Sequence, residues 1–154
     1  MRLEKDYEEF IELLNEHDVR YLVVGAYAVS YYARPRNTGD INFFIDNSSQ
    51  NISNLLQVLK KFGFGNLDLT PRDFKGNGNI IQLGYEPVRI DIMTGISGVS
   101  FKQAYNNKEQ GKLGDQPVYF ISLSDLIANK KASDRTQDKA DAELLEKYRD
   151  IDKH

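Results

Sequence analysis

Apolar side chains recur every three or four positions through Leu3, Tyr7, Phe10, Ile11, Leu13 and Leu14. That spacing lays most of them on one face of a helix. Asn15-Glu16-His17-Asp18 ends the pattern, and Val19 to Val24 reads as a buried strand. Gly25 breaks it, and a short helix is expected over Ala26 to Ala33. Arg34-Pro35-Arg36-Asn37-Thr38-Gly39 is a loop, because proline and glycine punctuate it. Asp40 to Ile45 alternates polar and apolar, as a strand open on one face would. Asp46-Asn47-Ser48-Ser49 offers helix N-caps. The helix behind them carries Ile52, Leu55, Leu56, Leu59 and Phe62 on its apolar side and stops at Gly63.

Gly65 to Gly78 has no period, so loops are expected there, with room for a short strand. Ile80 to Leu83 and Val88 to Met93 predict a hairpin around Gly84-Tyr85-Glu86-Pro87. Val99 to Tyr105 predicts a short helix, and Pro117 to Ile121 a last strand. Ser122 and Asp125 form a capping box with Asp in the usual Glu place, opening a helix to about Lys131. After a break over Ser133 to Gln137, a final helix covers Asp138 to Tyr148. The order α, β, α, β, α, β, β, α, β, α, α predicts an α/β (α+β) fold, a mixed sheet covered by helices. Residues 1–154 are read as one domain, with the helices of 122–150 packing on it.

Composition narrows the chemistry. The chain has 154 residues, 40% of them hydrophobic and 28% charged, with a mean hydropathy of -0.54. No apolar run reaches the roughly 20 residues of a membrane helix, and the charged first residues do not suit a signal peptide. There is no cysteine, so disulfides and thiolate metal sites are excluded, and a cytoplasmic location is expected. A net charge of -3 argues against general DNA or RNA binding, which needs a basic excess. His17 and His154 are too few and too far apart for a histidine metal centre. A metal here would be held by carboxylates, which points to Mg²⁺ or Mn²⁺.

Three segments could carry chemistry. In Asp40-Ile41-Asn42-Phe43, strand alternation puts Asp40 and Asn42 on one face, where two oxygen-bearing groups could touch one divalent cation. In Arg89-Ile90-Asp91-Ile92-Met93 a carboxylate sits between two β-branched residues. If the two strands are neighbours, Asp91 reaches the space in front of Asp40. Paired carboxylates of this kind suit a metal site for phosphoryl or nucleotidyl transfer. Finally, Val23-Val24-Gly25-Ala26 leads a strand into a helix whose free amides and dipole suit a phosphate.

Gly25-Ala26, then Thr38-Gly39-Asp40-Ile41-Asn42, then Asp91 resembles the pattern of the nucleotidyltransferase superfamily. The resemblance is closest to small bacterial and archaeal members of the abortive-infection and toxin–antitoxin type. It extends through Ile81-Gln82-Leu83-Gly84, Arg89 to Thr94, Ile96 to Val99, Ile121 to Ile127, and Asn129-Lys130-Lys131 with Arg135 and Asp138 to Asp141. It implies a minimal nucleotidyltransferase fold in which two Mg²⁺ ions hold an NTP and activate an acceptor hydroxyl. It implies Asp40 and Asp91 as metal ligands, with Asp91 helping to draw off the acceptor proton. Asn42 stands in the second acid position, and Gly25 and Ala26 would cradle phosphate oxygens. Arg36, Thr38 and Lys130 complete the candidate nucleotide-binding set.

Asn42 departs from the family pattern. It keeps an oxygen but loses the charge, so it cannot bridge two repelling cations as a carboxylate does. Three readings stay open: a degenerate member, a slow or one-metal enzyme, or an introduced change. Bland readings stand beside the others. Asp40 suits a turn or strand start, and Asp91 could pair with Arg89 or Arg36. Arg34 and Arg36 could form a phosphate clamp or a solvated loop. Lys130, Lys131, Arg135 and Lys139 could complement a helix end, and Tyr27, Tyr31 and Tyr32 could be core or rim aromatics rather than a base platform. His17 is read as a helix-end residue. The leading expectation is a Mg²⁺-dependent nucleotidyltransferase, with a protein, RNA or small-molecule acceptor and room for a partner protein. The rivals are a nucleotide-binding regulatory module of a two-protein, toxin–antitoxin-like system, and a metal-dependent phosphohydrolase or nuclease.

Overall fold

One mixed sheet runs through the computed structural model, which describes residues 5–36 and 38–152. Leu3 of the expected first helix, Asn37 of the expected loop and His154 lie outside the described residues. Among the described residues the six strands of the sheet are β1 (Tyr21–Val24), β2 (Asp40–Ile45), β3 (Ile80–Leu83), β4 (Arg89–Met93), β5 (Glu109–Leu113) and β6 (Gln116–Phe120), in the order β3-β4-β2-β1-β6-β5. β1 runs antiparallel to β2 and parallel to β6. β2 and β4 are parallel neighbours, and β3–β4 and β5–β6 are antiparallel hairpins. The helices are α1 (Lys5–Glu16), α2 (Gly25–Tyr32), α3 (Ser49–Leu59), α4 (Phe101–Asn106), α5 (Leu123–Ala132) and α6 (Thr136–Asp152).

Alternation along β2 decides how the layers form. Ile41, Phe43 and Ile45 are buried on one face. Phe10 of α1 packs 5.5 Å from Phe43, and Phe62, just past α3, lies 5.1 Å from Phe10. The opposite face begins polar, at Asp40 and Asn42, and turns apolar at Phe44, whose ring meets Phe101 of α4 at 5.1 Å. Only the first half of β2 is therefore open on its polar face. The expectation of a strand exposed along that whole face holds for Asp40 and Asn42 and ends at Phe44, because α4 covers it.

Tyr7 of α1 is fully buried, and its hydroxyl donates to the carbonyl of Arg89 at 3.0 Å, with the carbonyls of Gly39 and Pro87 at 3.4 Å. One side chain thus fixes the entries to both β2 and β4. At the far end of β2, buried Asn51 donates to the carbonyls of Asp46 and Arg20 and accepts from the Arg20 amide, so each of its polar groups is satisfied.

Three elements differ from the sequence expectation. β5 is an added edge strand whose Glu-Gln-Gly-Lys-Leu segment has no apolar alternation. It is set by its hairpin with β6, closed at Gly114 with φ of 61°. Residues 65–78 contain no strand; two single 3₁₀ turns, Gly65–Leu67 and Pro71–Phe74, lead through them, pinned by buried Phe74. The last helix opens at Thr136 and runs to Asp152 rather than covering only Asp138 to Tyr148. The capping of α5 by Ser122, which accepts from the Asp125 amide, is as expected. No helix among the described residues is long and apolar enough to cross a membrane.

Candidate functional site

The register of β2 on β4 builds a square of four polar side chains. Asp40 lies opposite Arg89, and Asn42 opposite Asp91, so all four point from the same face. The guanidinium of Arg89 spans the acids. Its Nε donates to Asp91 Oδ1 at 2.9 Å, and its Nη2 donates to Asp91 Oδ2 and Asp40 Oδ2, both at 3.1 Å. The Asn42 carboxamide matches its surroundings only with nitrogen inward, where it donates to Asp91 Oδ2 at 3.2 Å and Asp40 Oδ2 at 3.1 Å. The Thr38 hydroxyl donates to Asp40 Oδ1 at 2.8 Å. The Asp91 side chain is 5% exposed, against 22% for Asp40. Burial pushes the Asp91 carboxyl above the usual range; Arg89 pulls against this and the Asp40 charge adds to it. The hydrogen bonds to Asp91 raise the Arg89 guanidinium further.

Beside the square lies a cleft of about 580 Å³. Gly25, Asn42 and Met93 form its sheet side, and Asn129, Lys130, Ser133, Arg135 and Asp138 its helix side. Asn129 ties α5 to the loop after β4 by donating to the Ser97 carbonyl at 3.0 Å. Gly25 has φ of +70°, and a Cβ there would collide with the Asn42 amide, so only glycine leaves this wall open. The first turn of α2 has no side-chain cap at Val24, which leaves its amides available.

Two basic side chains near these helices, Lys130 and Arg36, are already engaged. Lys130 is 3.1 Å from Asp138 and 3.7 Å from Asp141. Arg36 reaches Asp141 at 2.6 Å, and Gln137 donates to the same carboxylate at 2.9 Å. Burial would raise the Asp138 carboxyl, but hydrogen bonds from Ser133 and Lys130 outweigh it and hold the group below its ordinary value.

A family model described as "Nucleotidyl transferase of unknown function (DUF2204)" matches residues 3–153. The chain belongs to this nucleotidyl transferase family. Its fold is similar to that of ANT(2")-Ia, solved in complex with adenylyl-2"-tobramycin, with a TM-score of 0.57 at 11% identity over 96% of this chain and 89% of that one. It is also similar to the lincosamide antibiotic adenylyltransferase LnuA, solved with lincomycin, with a TM-score of 0.56 at 15% identity over 95% of this chain and 98% of that one. No curated protein matches the sequence. At such identities the likeness is one of fold, and the α/β class with its mixed sheet agrees with the expectation.

Within this nucleotidyl transferase, Asp40, Asn42 and Asp91 come together as the alternation argument requires, and Gly25 and Lys130 face the neighbouring cleft. Ala26 follows in the first turn of α2. Thr38 binds Asp40, and Arg36 is spent on Asp141. The sequence reading gives Asn42 an oxygen toward a cation; its nitrogen faces the acids instead, because both of its neighbours there are acceptors. In the sequence Arg89 is legible only as an alternative partner for Asp91. Its position two residues before Asp91 placed it on the same face, and that was the available signal. Ser133, Asp138 and Asp141 were not singled out as site residues.

Proposed function

We propose that the protein moves a nucleoside monophosphate from an NTP to an acceptor hydroxyl, with the triphosphate in the cleft between Gly25 and α5. The observation that carries this is the convergence of Asp40 and Asp91 on Asn42, which lines that cleft, in a chain of a nucleotidyl transferase family. The free amides and positive end of α2 at Gly25 suit phosphate oxygens. Arg135 and Lys130 supply cationic charge on the opposite wall. Asp91, with its carboxyl raised by burial, suits the part of proton acceptor. The acceptor oxygen loses its proton to Asp91 and bonds to the α-phosphorus; the bond to the β-phosphate oxygen breaks and pyrophosphate leaves. Arg89 holds the Asp91 carboxylate in place for that transfer.

Mg²⁺ or Mn²⁺ is the cofactor the family resemblance implies. The residues as arranged do not fit it. Among the described residues no three acidic or histidine groups converge as a metal site. The two oxygens that would grip a shared cation, Asp40 Oδ2 and Asp91 Oδ2, each accept from both Arg89 and Asn42, which fills the two lone-pair positions of each.

That same observation favours a second reading, a nucleotide-binding regulatory module, in a two-protein system of the toxin–antitoxin kind, that does not turn over. Calorimetry with ATP, GTP, CTP and UTP, paired with a pyrophosphate-release assay over a panel of small hydroxylated acceptors, RNA and protein, separates the two. Binding with release supports transfer. Binding without release supports the module, and absence of binding removes both.

A further inference from the structure

The two acids of the square already have a cation. A guanidinium sits between them with donors 2.9–3.1 Å from three of their four oxygens, Thr38 covers the fourth, and the Asn42 amide closes the remaining side. A divalent ion entering this space would have to displace Arg89 Nη2 and the Asn42 nitrogen from the same two oxygens. It would also stand within a few ångströms of a fixed positive charge, a repulsive arrangement at any local dielectric. The backbone that carries Arg89 is held at both ends of the residue, its amide donating to the Gly39 carbonyl at 3.1 Å and its carbonyl accepting from Tyr7. Mg²⁺ binds through one or two carboxylates with strict octahedral geometry, which these occupied oxygens cannot offer.

We propose that Arg89 is a built-in counter-ion that keeps divalent cations out of the Asp40–Asp91 pair in the nucleotide-free protein, with Asn42 as its accessory lock. The protein then folds with the pair charge-compensated and needs no metal to hold two carboxylates side by side. Removing the guanidinium, and restoring an acid at position 42, converts the closed pair into a cation site. This concerns the same acids as the proposed function and rests on that choice of site, but its test contains no nucleotide and no acceptor.

The test titrates Mn²⁺ alone into the full chain, reading free Mn²⁺ by electron paramagnetic resonance, with Mg²⁺-dependent melting as a second readout. The unaltered protein is expected to show no saturable Mn²⁺ binding up to about millimolar ion and no shift of its melting temperature with Mg²⁺. Arg89→Gln with Asn42→Asp is expected to bind one Mn²⁺ at least about tenfold more tightly, and its melting temperature to rise as Mg²⁺ is added. Arg89→Gln alone is expected to fall between the two. One tightly bound Mn²⁺ on the unaltered protein overturns the proposal and needs no variant to be seen. A folded double variant that binds Mn²⁺ no better than the unaltered chain also overturns it. If the double variant does not fold, Arg89→Lys with Asn42→Asp, which keeps a cation beside the acids, must fold and must remain closed to Mn²⁺; tight binding there would refute the role of charge.

Discussion

Substituting Gly25 by alanine separates two costs that meet at the cleft. The first is backbone: Gly25 has φ of +70°, and an alanine held there loses roughly 1–2 kcal/mol. The second is steric. The new Cβ would overlap the terminal amide of Asn42 and lie 3.1 Å from its Cγ and 3.3 Å from its Cβ. Asn42 would have to swing away, releasing its bonds to Asp40 and Asp91. Hydrogen bonds to charged groups contribute about 1.5–3 kcal/mol each when buried. The square is partly open to solvent on its Asp40 side, so about 1 kcal/mol per bond is the better figure, for a total of about 3–4 kcal/mol. At roughly 2–4 °C per kcal/mol for a domain of this size, Gly25→Ala should lower the melting temperature by about 10 °C. Urea denaturation followed by circular dichroism measures the free energy directly. The same substitution on an Asn42→Ala background should cost only the backbone share, so the double-mutant cycle should show a coupling of about 2 kcal/mol. Simple additivity would refute the collision, and a neutral Gly25→Ala would refute the left-handed backbone.

Other outcomes follow from the same geometry. Arg36→Met leaves Asp141 with Lys130 and Gln137 as its remaining partners, so it should cost about 2 kcal/mol of stability while ATP affinity by calorimetry stays within about twofold; a selective loss of affinity would return Arg36 to the phosphate site. Lys130→Met should be worse in both respects, by about 2–3 kcal/mol in urea, because it takes a partner from Asp138 and Asp141 and a cation from the cleft. Asp138 has its folded carboxyl held below the unfolded value, so its contribution is complete above about pH 4 and disappears as pH falls through the folded value; denaturation midpoints of Asp138→Asn should converge on the unaltered protein's in acid and fall below them near neutrality. Asp91→Asn should reduce any pyrophosphate release by at least about a hundredfold, with the chain still folded by circular dichroism.

A period of two put Asp40 and Asn42 on one face of β2, and Arg89 and Asp91 on one face of β4, with no structure in hand. What it could not supply was the register. Sliding β4 by one residue along β2 would turn Asp91 into the apolar layer under α1. The Tyr7 hydroxyl, which binds the Arg89 carbonyl from a helix more than eighty residues earlier, is one of the long-range contacts that hold the actual pairing. β5 was illegible for the opposite reason. Its residues carry no pattern because it is an edge, and only its hairpin partner makes it a strand.

The nature of the cation between the acids was beyond the sequence for a more basic reason. Two carboxylates facing each other require positive charge, but a metal ion and a guanidinium meet that requirement equally well on paper. Choosing between them depends on which oxygens each donor reaches, a matter of tenths of an ångström. In this chain the arginine is supplied by the same strand as one of the acids, two residues away, so its side chain needs no long-range search to arrive. An acid at position 42 would have repelled both neighbours and left a place for a metal. The amide there does the reverse, donating to both and tightening the square around Arg89. Asn42 and Arg89 therefore act as one unit, and a neutral donor at position 42 suits the charge already present at position 89.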